Sequence, residues 1–236
     1  MDDIFGQALL DYHQGNYTED LWTETSISEP DEMPLPYLFR AYDEMPKIET
    51  TALDESRGRV LDVGCGAGNH ALYLQKKGLQ VTAIDESAGA VEVARDRGIA
   101  DTENIRLLEF NSGTYDTILL LMNGTGIFAR LEQVPGYLAH LRTLLNPGGQ
   151  ILVDGSDLQY MYDRTEEGAI WVPADRYYGE LDFVISYKGQ STPPFPWLYL
   201  DDRLLKEYAI EAGFDFELLV RGENFDYLAR LIRKKE

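Results

Sequence analysis

A chain of 236 residues, 44% of them apolar, is long enough for one sizeable α/β domain with additions and too apolar to stay disordered. Its formal net charge of −20 argues against DNA or RNA as partner, because phosphate contacts need clustered Lys and Arg, and the one basic cluster is Arg233-Lys234-Lys235 at the end of the chain. The single cysteine, Cys65, leaves no internal disulfide, no apolar run approaches a membrane span, and MDDIFGQALL lacks a signal-peptide pattern, so a cytoplasmic location is expected.

The chain divides into 1–57 and 58–236, the second part interrupted by an insertion over 155–200. Residues 1–57 read as an N-terminal helical cap, in helix-like pieces broken by prolines at 30, 34, 36 and 46. Met1 to Thr50 holds 12 acidic residues against 2 basic ones, either a solvated face or an acidic rim that favours neutral or cationic substrates. From 58 to 154 strand and helix alternate, the signature of a parallel sheet. GRVLDVG is the first strand and AGNHALYLQKKG the helix after it. LQVTAID is the second strand, and SAGAVEVARDRG a helix with Ser87 as N-cap and Gly98 as its stop. NIRLLEF is the third strand. TYDTILLLM, nearly all apolar, is a fourth strand buried on both faces. RLEQVPGYLAHLRTLLNPGG is a helix with Pro135 near its start, and QILVDGSD is the fifth strand. In the insertion, WVPADRYYGELDFVISYKG contains a strand that STPPFPWLYL pairs with. DDRLLKEYAIEAG is a helix capped by Asp201 or Asp202, followed by the strands FDFELLVRG and NFDYLARLIRK.

The densest chemical signal is VLDVGCGAGNHALYL, residues 60–74. Gly64, Gly66 and Gly68 stand at alternate positions between an apolar run ending in Asp62 and the start of a helix. Glycines there allow a sharp turn and bring backbone N–H groups of a helix start up to a ligand. One strand later VTAIDES ends in Asp85. A carboxylate at that point suits a vicinal diol, because it accepts two hydrogen bonds at once. Dinucleotide folds space their glycines G-x-G-x-x-G, one step further into the helix than the G-x-G-x-G found here.

With an acid two residues before it, this loop resembles motif I of the class I S-adenosylmethionine-dependent methyltransferases, and the likeness extends over about 58–154 and 201–234. The resemblance implies a Rossmann-like α/β fold. Its seven-stranded, mostly parallel sheet has helices on both faces and an antiparallel last strand, here with the N-terminal cap and a β-containing insertion after the fifth strand. It implies S-adenosyl-L-methionine as cofactor. The loop of Asp62, Gly64, Cys65, Gly66 and Gly68 would hold the methionine end. Asp85 would accept the ribose hydroxyls, with Glu86 beside the adenine. Glu109, with Asn111 as the alternative, would bond the adenine amino group and the Phe110 N–H a ring nitrogen. Leu121, Met122 and Asn123 would pass beneath the sulfonium. Cys65 also reads simply as a small residue in a tight turn, and His70 as a helix-surface histidine. The family region before motif I often closes over the cofactor, so Tyr37 and Arg40 are candidates for cofactor or substrate contact, although Arg40 could equally pair with Asp43 or Glu44.

Methyl transfer from a sulfonium is an in-line displacement that asks mainly for alignment and exclusion of water. No residue declares itself as a base. Asn123, Tyr178 and His13 are the candidates, and His140 reads as structural. MNGTG after the fourth strand departs from the N-P-P-Y type motif of base-amine methyltransferases, which lowers that substrate class further. Trp171, Tyr177, Tyr178 and Trp197 form either an aromatic acceptor pocket or the core of an extra sheet or dimer contact. Asp154 and Asp157 lie close in sequence but name no metal, and none is expected. The expected activity is methyl transfer to a small-molecule acceptor by a monomer or homodimer, without nucleic-acid or membrane partners. A protein acceptor, a non-catalytic cofactor-binding module and, more remotely, an NAD-dependent oxidoreductase are the alternatives.

Overall fold

The computed structural model describes residues 3–163, 165, 170–223 and 225–234. Lys235 of the basic tail and five residues of the insertion, 164 and 166–169, lie outside the described residues. The central sheet has seven strands: β3 (Arg59–Val63), β4 (Gln80–Asp85), β5 (Asp101–Asn104), β6 (Tyr115–Leu120), β7 (Leu145–Ser156), β11 (Phe214–Arg221) and β12 (Asp226–Arg233). They run in the order β11-β12-β7-β6-β3-β4-β5. β3 to β7 are parallel, and β12 pairs antiparallel with both β7 and β11.

Both faces of the central strands β3 and β6 are dry, which explains their continuous apolar runs. Leu61, Ile118, Leu120, Ile151 and Val153 pack under α5 (Val134–Leu144) and α6 (Asp202–Glu211). The alternate residues Val60, Leu119 and Leu152 pack under α2 (Lys47–Glu55) and α3 (Asn69–Lys76) on the opposite face. Asp62 and Asp154 share the parity of Val60 and Leu152, so both carboxylates belong to the α2–α3 face. Pro135 occupies the first turn of α5, where a missing N–H costs nothing, and Asp201 caps α6.

A second, antiparallel sheet was only half legible in the sequence. β8 (Glu180–Tyr187) and β10 (Phe195–Leu198) pair as expected within the insertion, with β9 (Gln190–Ser191) alongside. β1 (Leu21–Thr25) and β2 (Ser28–Met33) complete the order β10-β8-β1-β2. The N-terminal segment is therefore α1 (Ile4–His13), a hairpin and α2, not helical pieces alone. β2 reads SEPDEM and shows no apolar alternation, because as an edge strand it is held to β1 by backbone bonds. The third core strand is also displaced. β5 ends at Asn104, and Leu107–Glu109 forms a 3-10 turn instead of continuing the strand.

α1 joins the two sheets. Its Ile4, Ala8 and Leu9 bury against Ala67 of the glycine loop, Ala90 and Val93 of α4 (Ala88–Asp96), and Leu21 and Tyr187 of the second sheet. Asp3 caps it, accepting from Gly6 N–H at 2.9 Å, and also accepts from Ser87 Oγ at 2.9 Å and Gly89 N–H at 2.8 Å. Three donors lose their acceptor in Asp3→Ala, at an expected cost of about 2 kcal/mol. Hydrogen exchange of the α1 amides checks this: faster exchange over Ile4–His13 is the expected result, and unchanged exchange would mean that apolar contacts alone dock the helix. Among the described residues no helix is long and apolar enough to cross a membrane.

Candidate active site

The glycine loop turns at the C-terminal edge of β3. Gly64, Gly66 and Gly68 all have positive φ. Gly68 is the clearest requirement: at φ 83° it starts α3, and a Cβ there would meet Ile99 Cδ1 at 2.3 Å. The Gly64 and Cys65 N–H groups donate to the Ile84 carbonyl at 2.9 and 3.1 Å, tying the loop to β4. Arg97, the C-cap of α4, grips it, donating to the Ala67 carbonyl at 2.5 Å and to Asn69 Oδ1 at 2.7 Å. Asp85 ends β4 and is aimed by backbone: its carboxylate accepts from Gly66 N–H at 2.9 Å and Ser87 N–H at 2.8 Å. Each oxygen keeps a free lone pair for a further donor. Burial pushes the Asp85 carboxyl up to about 6, against the opposing pull of the two N–H groups and with some help from Glu86 and Asp3. It remains partly solvent-accessible, as the floor of a cleft would be.

Beside the loop lies a charged cluster. Arg40 is buried at 5% exposure, stacks over the Tyr37 ring at 3.7 Å and donates to the Tyr37 carbonyl at 2.5 Å. Its other amino group pairs with Glu49 of α2, whereas the sequence offered Asp43 or Glu44. Glu49 Oε2 lies 2.7 Å from His70 Nε2. His70 is thus a buried partner, not a surface histidine: it stands on the first turn of α3, which faces α2 and the sheet. Burial alone would lower the His70 pKa, but the Glu49 hydrogen bond and the Asp62 and Glu49 charges outweigh it and raise it. For Glu49, burial is overcome by the His70 hydrogen bond and the His70 and Arg40 charges, and its pKa falls. Asp62, 2% exposed, is raised by burial against the pull of His70.

Among the described residues Arg40 Nε, Asp62 Oδ2 and both amide atoms of Asn123 are buried without a hydrogen-bond partner. Such orphans in so polar a cluster point to a bound group. An α-amino acid moiety brings an ammonium for Asp62 and a carboxylate for Arg40, so the residues present fit the methionine end of S-adenosylmethionine.

The third part of the site is the turn after β6. Met122 and Asn123 both adopt left-handed backbone, at φ 64° and 60°. Asp154 of β7 holds them there, accepting from Asn123 N–H at 3.1 Å and Gly124 N–H at 2.7 Å. Sequence reasoning left Asp154 without a role. Burial raises its carboxyl to about 6 despite both N–H bonds, with Glu49 raising and His70 lowering it; it too is partly solvent-accessible. Trp197 of β10 packs against the same turn. A Cβ on Gly126 would meet Trp197 Cε2 at 1.9 Å, and Thr125 Oγ1 donates to the Leu198 carbonyl at 3.0 Å. The second sheet is therefore a roof over the open edge of the parallel sheet, the usual ligand position in α/β folds.

Several expected residues stand elsewhere. Because β5 ends early, Glu109 is exposed on the 3-10 turn, and the Phe110 N–H already donates to the Arg106 and Leu107 carbonyls while its ring fills the core. Glu86 is exposed and pairs with Arg106 at 3.2 Å. Cys65 is a buried thiol pushed far up by burial and by Asp85 and Asp62, which makes it inert. His13 ends α1, about 15 Å along the helix from the Asp3 cap, with Asp96 at 3.8 Å. Tyr178 donates to Asp157 at 2.9 Å and Asp201 at 3.2 Å, in a cluster with Tyr177 that fastens the insertion to α6. Trp171 is 71% exposed and takes no part. No group of three potential metal ligands occurs among the described residues.

Comparison with known proteins agrees with this geometry. A family model described as a methyltransferase domain matches residues 37–186. A crystal structure of an S-adenosylmethionine-dependent methyltransferase from Bacteroides fragilis, in complex with S-adenosyl-L-homocysteine, is 42% identical. It covers 98% of this chain and 95% of its own, with a TM-score of 0.91. A ubiquinone biosynthesis O-methyltransferase of Xanthomonas oryzae is 33% identical over 112 residues, 43% of this chain; the chain spans 44% of that relative's length. An amino pentose methyltransferase from Micromonospora echinaspora, solved with S-adenosylmethionine bound, matches 88% of this chain and 100% of its own at 16% identity and a TM-score of 0.58, a likeness of fold alone.

Proposed function

The chain belongs to the class I S-adenosylmethionine-dependent methyltransferases, and from that premise we propose that it methylates a small-molecule acceptor, by in-line displacement, in the cytoplasm. The observation that carries this reading is the G-x-G-x-G turn whose Gly66 N–H and the following Ser87 N–H aim the Asp85 carboxylate across the loop. Asp85 holds the ribose hydroxyls. Asp62 and Arg40 hold the ammonium and carboxylate of the methionine end. When bound, the cofactor supplies a methyl group already activated on a sulfonium. The chain's own part is alignment and dryness. The Met122–Gly124 turn, clamped by Asp154, forms the floor beside the methyl group, and Trp197 with the second sheet keeps water out.

The net charge of −20 argues against a polyanion as acceptor. Calorimetric titration with S-adenosylhomocysteine, with NAD as control, tests the reading. Micromolar binding of the first and none of the second is expected. NAD binding alone would overturn it in favour of a dehydrogenase. S-adenosylhomocysteine binding without turnover of any small acceptor would favour a protein acceptor or a non-catalytic binder.

A further inference from the structure

We propose that the acceptor is a cationic amine, received by the Asp154 carboxylate on the floor and by Phe183, Phe195 and Trp197 on the roof, with Asp154 taking its proton. This rests on the methyltransferase reading above.

The floor is built for a cation. Asp154 stands at the C-terminal end of β7 with one lone pair free on each oxygen after the Asn123 and Gly124 bonds. Beside it both polar atoms of the Asn123 amide are buried without a partner among the described residues. The ionisable groups that act on Asp154 or its neighbours are Glu49 from α2, His70 from α3, Tyr37 and Arg40 from the segment before α2, Asp62 from β3 and Tyr227 from β12. The Asp154 carboxylate accepts from two backbone N–H groups, and an ammonium brings it a counter-charge that a neutral alcohol lacks.

The roof agrees. On β8, Leu181, Phe183, Ile185 and Tyr187 share one face, and Ile185 and Tyr187 pack with α1 and Met122, so this face looks toward the site. Phe183 pairs with Phe195, and Trp197 with Leu181, which brings the three aromatic rings together at centroid distances of 5.7 to 6.2 Å. All three are half-buried, and Trp197 rests on Gly126, two residues from the Gly124 N–H that binds Asp154. Aromatic faces clustered in this way make a recurrent receptor for ammonium groups.

The chemistry balances. The ammonium gives a proton to the Asp154 carboxylate. The freed nitrogen lone pair attacks the methyl carbon as the C–S electron pair returns to sulfur, and N-methylammonium and S-adenosylhomocysteine result. Asp154 then releases its proton to solvent. An amine attacks only when unprotonated, so this acceptor class needs a base where a thiolate does not.

The test uses the full chain saturated with S-adenosylhomocysteine and two probes of equal shape, benzylamine and benzyl alcohol, titrated at pH 7.5. Benzylamine, cationic at that pH, is expected to bind about tenfold more tightly or better, and Asp154→Asn, titrated at saturating S-adenosylhomocysteine, to erase the difference. If that variant fails to fold, the native protein at pH 5.0, with S-adenosylhomocysteine raised until it again saturates, gives the same readout, because protonating Asp154 should shrink the preference. Equal binding of both probes, binding of neither, or a preference that survives both the variant and the acid shift would overturn the inference. Failure of S-adenosylhomocysteine itself to bind would instead sink the methyltransferase reading.

Discussion

Asp85→Ala lowers affinity for S-adenosylhomocysteine by about 100-fold or more, the largest effect expected of any single substitution in the cofactor cleft. Two hydrogen bonds from ribose hydroxyls to an ionised carboxylate are worth about 1.5–3 kcal/mol each, and each 1.4 kcal/mol is a factor of ten. The variant also removes the acceptor for Gly66 and Ser87 N–H, so the loop loses one of its tethers to β4 and keeps those to the Ile84 carbonyl. The same carboxyl sets a pH dependence. Its pKa is raised to about 6, so the ionised form that accepts both hydroxyls is complete above that pH and is lost as pH falls through it. Affinity should hold from pH 7 to 8 and drop below 6, where the protonated carboxyl keeps fewer acceptor sites. Calorimetry across that range, on the native protein and on Asp85→Asn, measures both effects. A variant that binds normally, or a flat profile in the native protein, would remove Asp85 from the site.

Glu49→Ala should be the most destabilising change in the charged cluster. It strips the counter-charge from Arg40 and from His70, both buried. Breaking a buried pair by removing one partner costs about 3–5 kcal/mol, because the charge left behind is uncompensated. For a chain of this size that is about 10 °C in Tm. The pH dependence follows from the two opposite shifts. Glu49 is held below its ordinary 4.5, so its contribution is present above 4.5 and is lost as pH falls through the lowered value. His70 is held above its ordinary 6.5, so its contribution is complete below 6.5 and is lost as pH rises through the raised value. Both are complete between 4.5 and 6.5. The Tm gap between native protein and variant should be widest in that window and narrow on either side. Thermal unfolding at pH 4 to 9 reads it directly, and a gap independent of pH would mean that Glu49 acts through packing alone.

The parts of the fold that were legible in the sequence are those whose signal is local. The glycine loop was legible because its turn needs positive φ at Gly64, Gly66 and Gly68, which few other residues supply. β6 was legible because a strand buried on both faces must be apolar throughout, and the caps at Ser87 and Asp201 because each bonds N–H groups within the next three residues. β2 and β5 were not. Each lies at a sheet edge, where backbone bonds suffice and the side chains face water, so SEPDEM and DTEN carry no strand pattern. The apolar residues of NIRLLEF misled for the complementary reason: Leu107 and Phe110 are buried from a turn.

The glycine turn and the acid beside it were settled by local sequence. A backbone loop followed by a helix, with an acid closing the next strand, is a matter of consecutive residues and their allowed dihedral angles. Only the tertiary structure decided the rest. Arg40, Glu49 and His70 come from three separate segments, Asp154 meets the Asn123 turn across 31 residues of chain, and Trp197 meets Gly126 across 71. Their charges, pKa shifts and orphaned polar atoms arise from desolvation and long-range pairing, which exist only once the chain has closed around them.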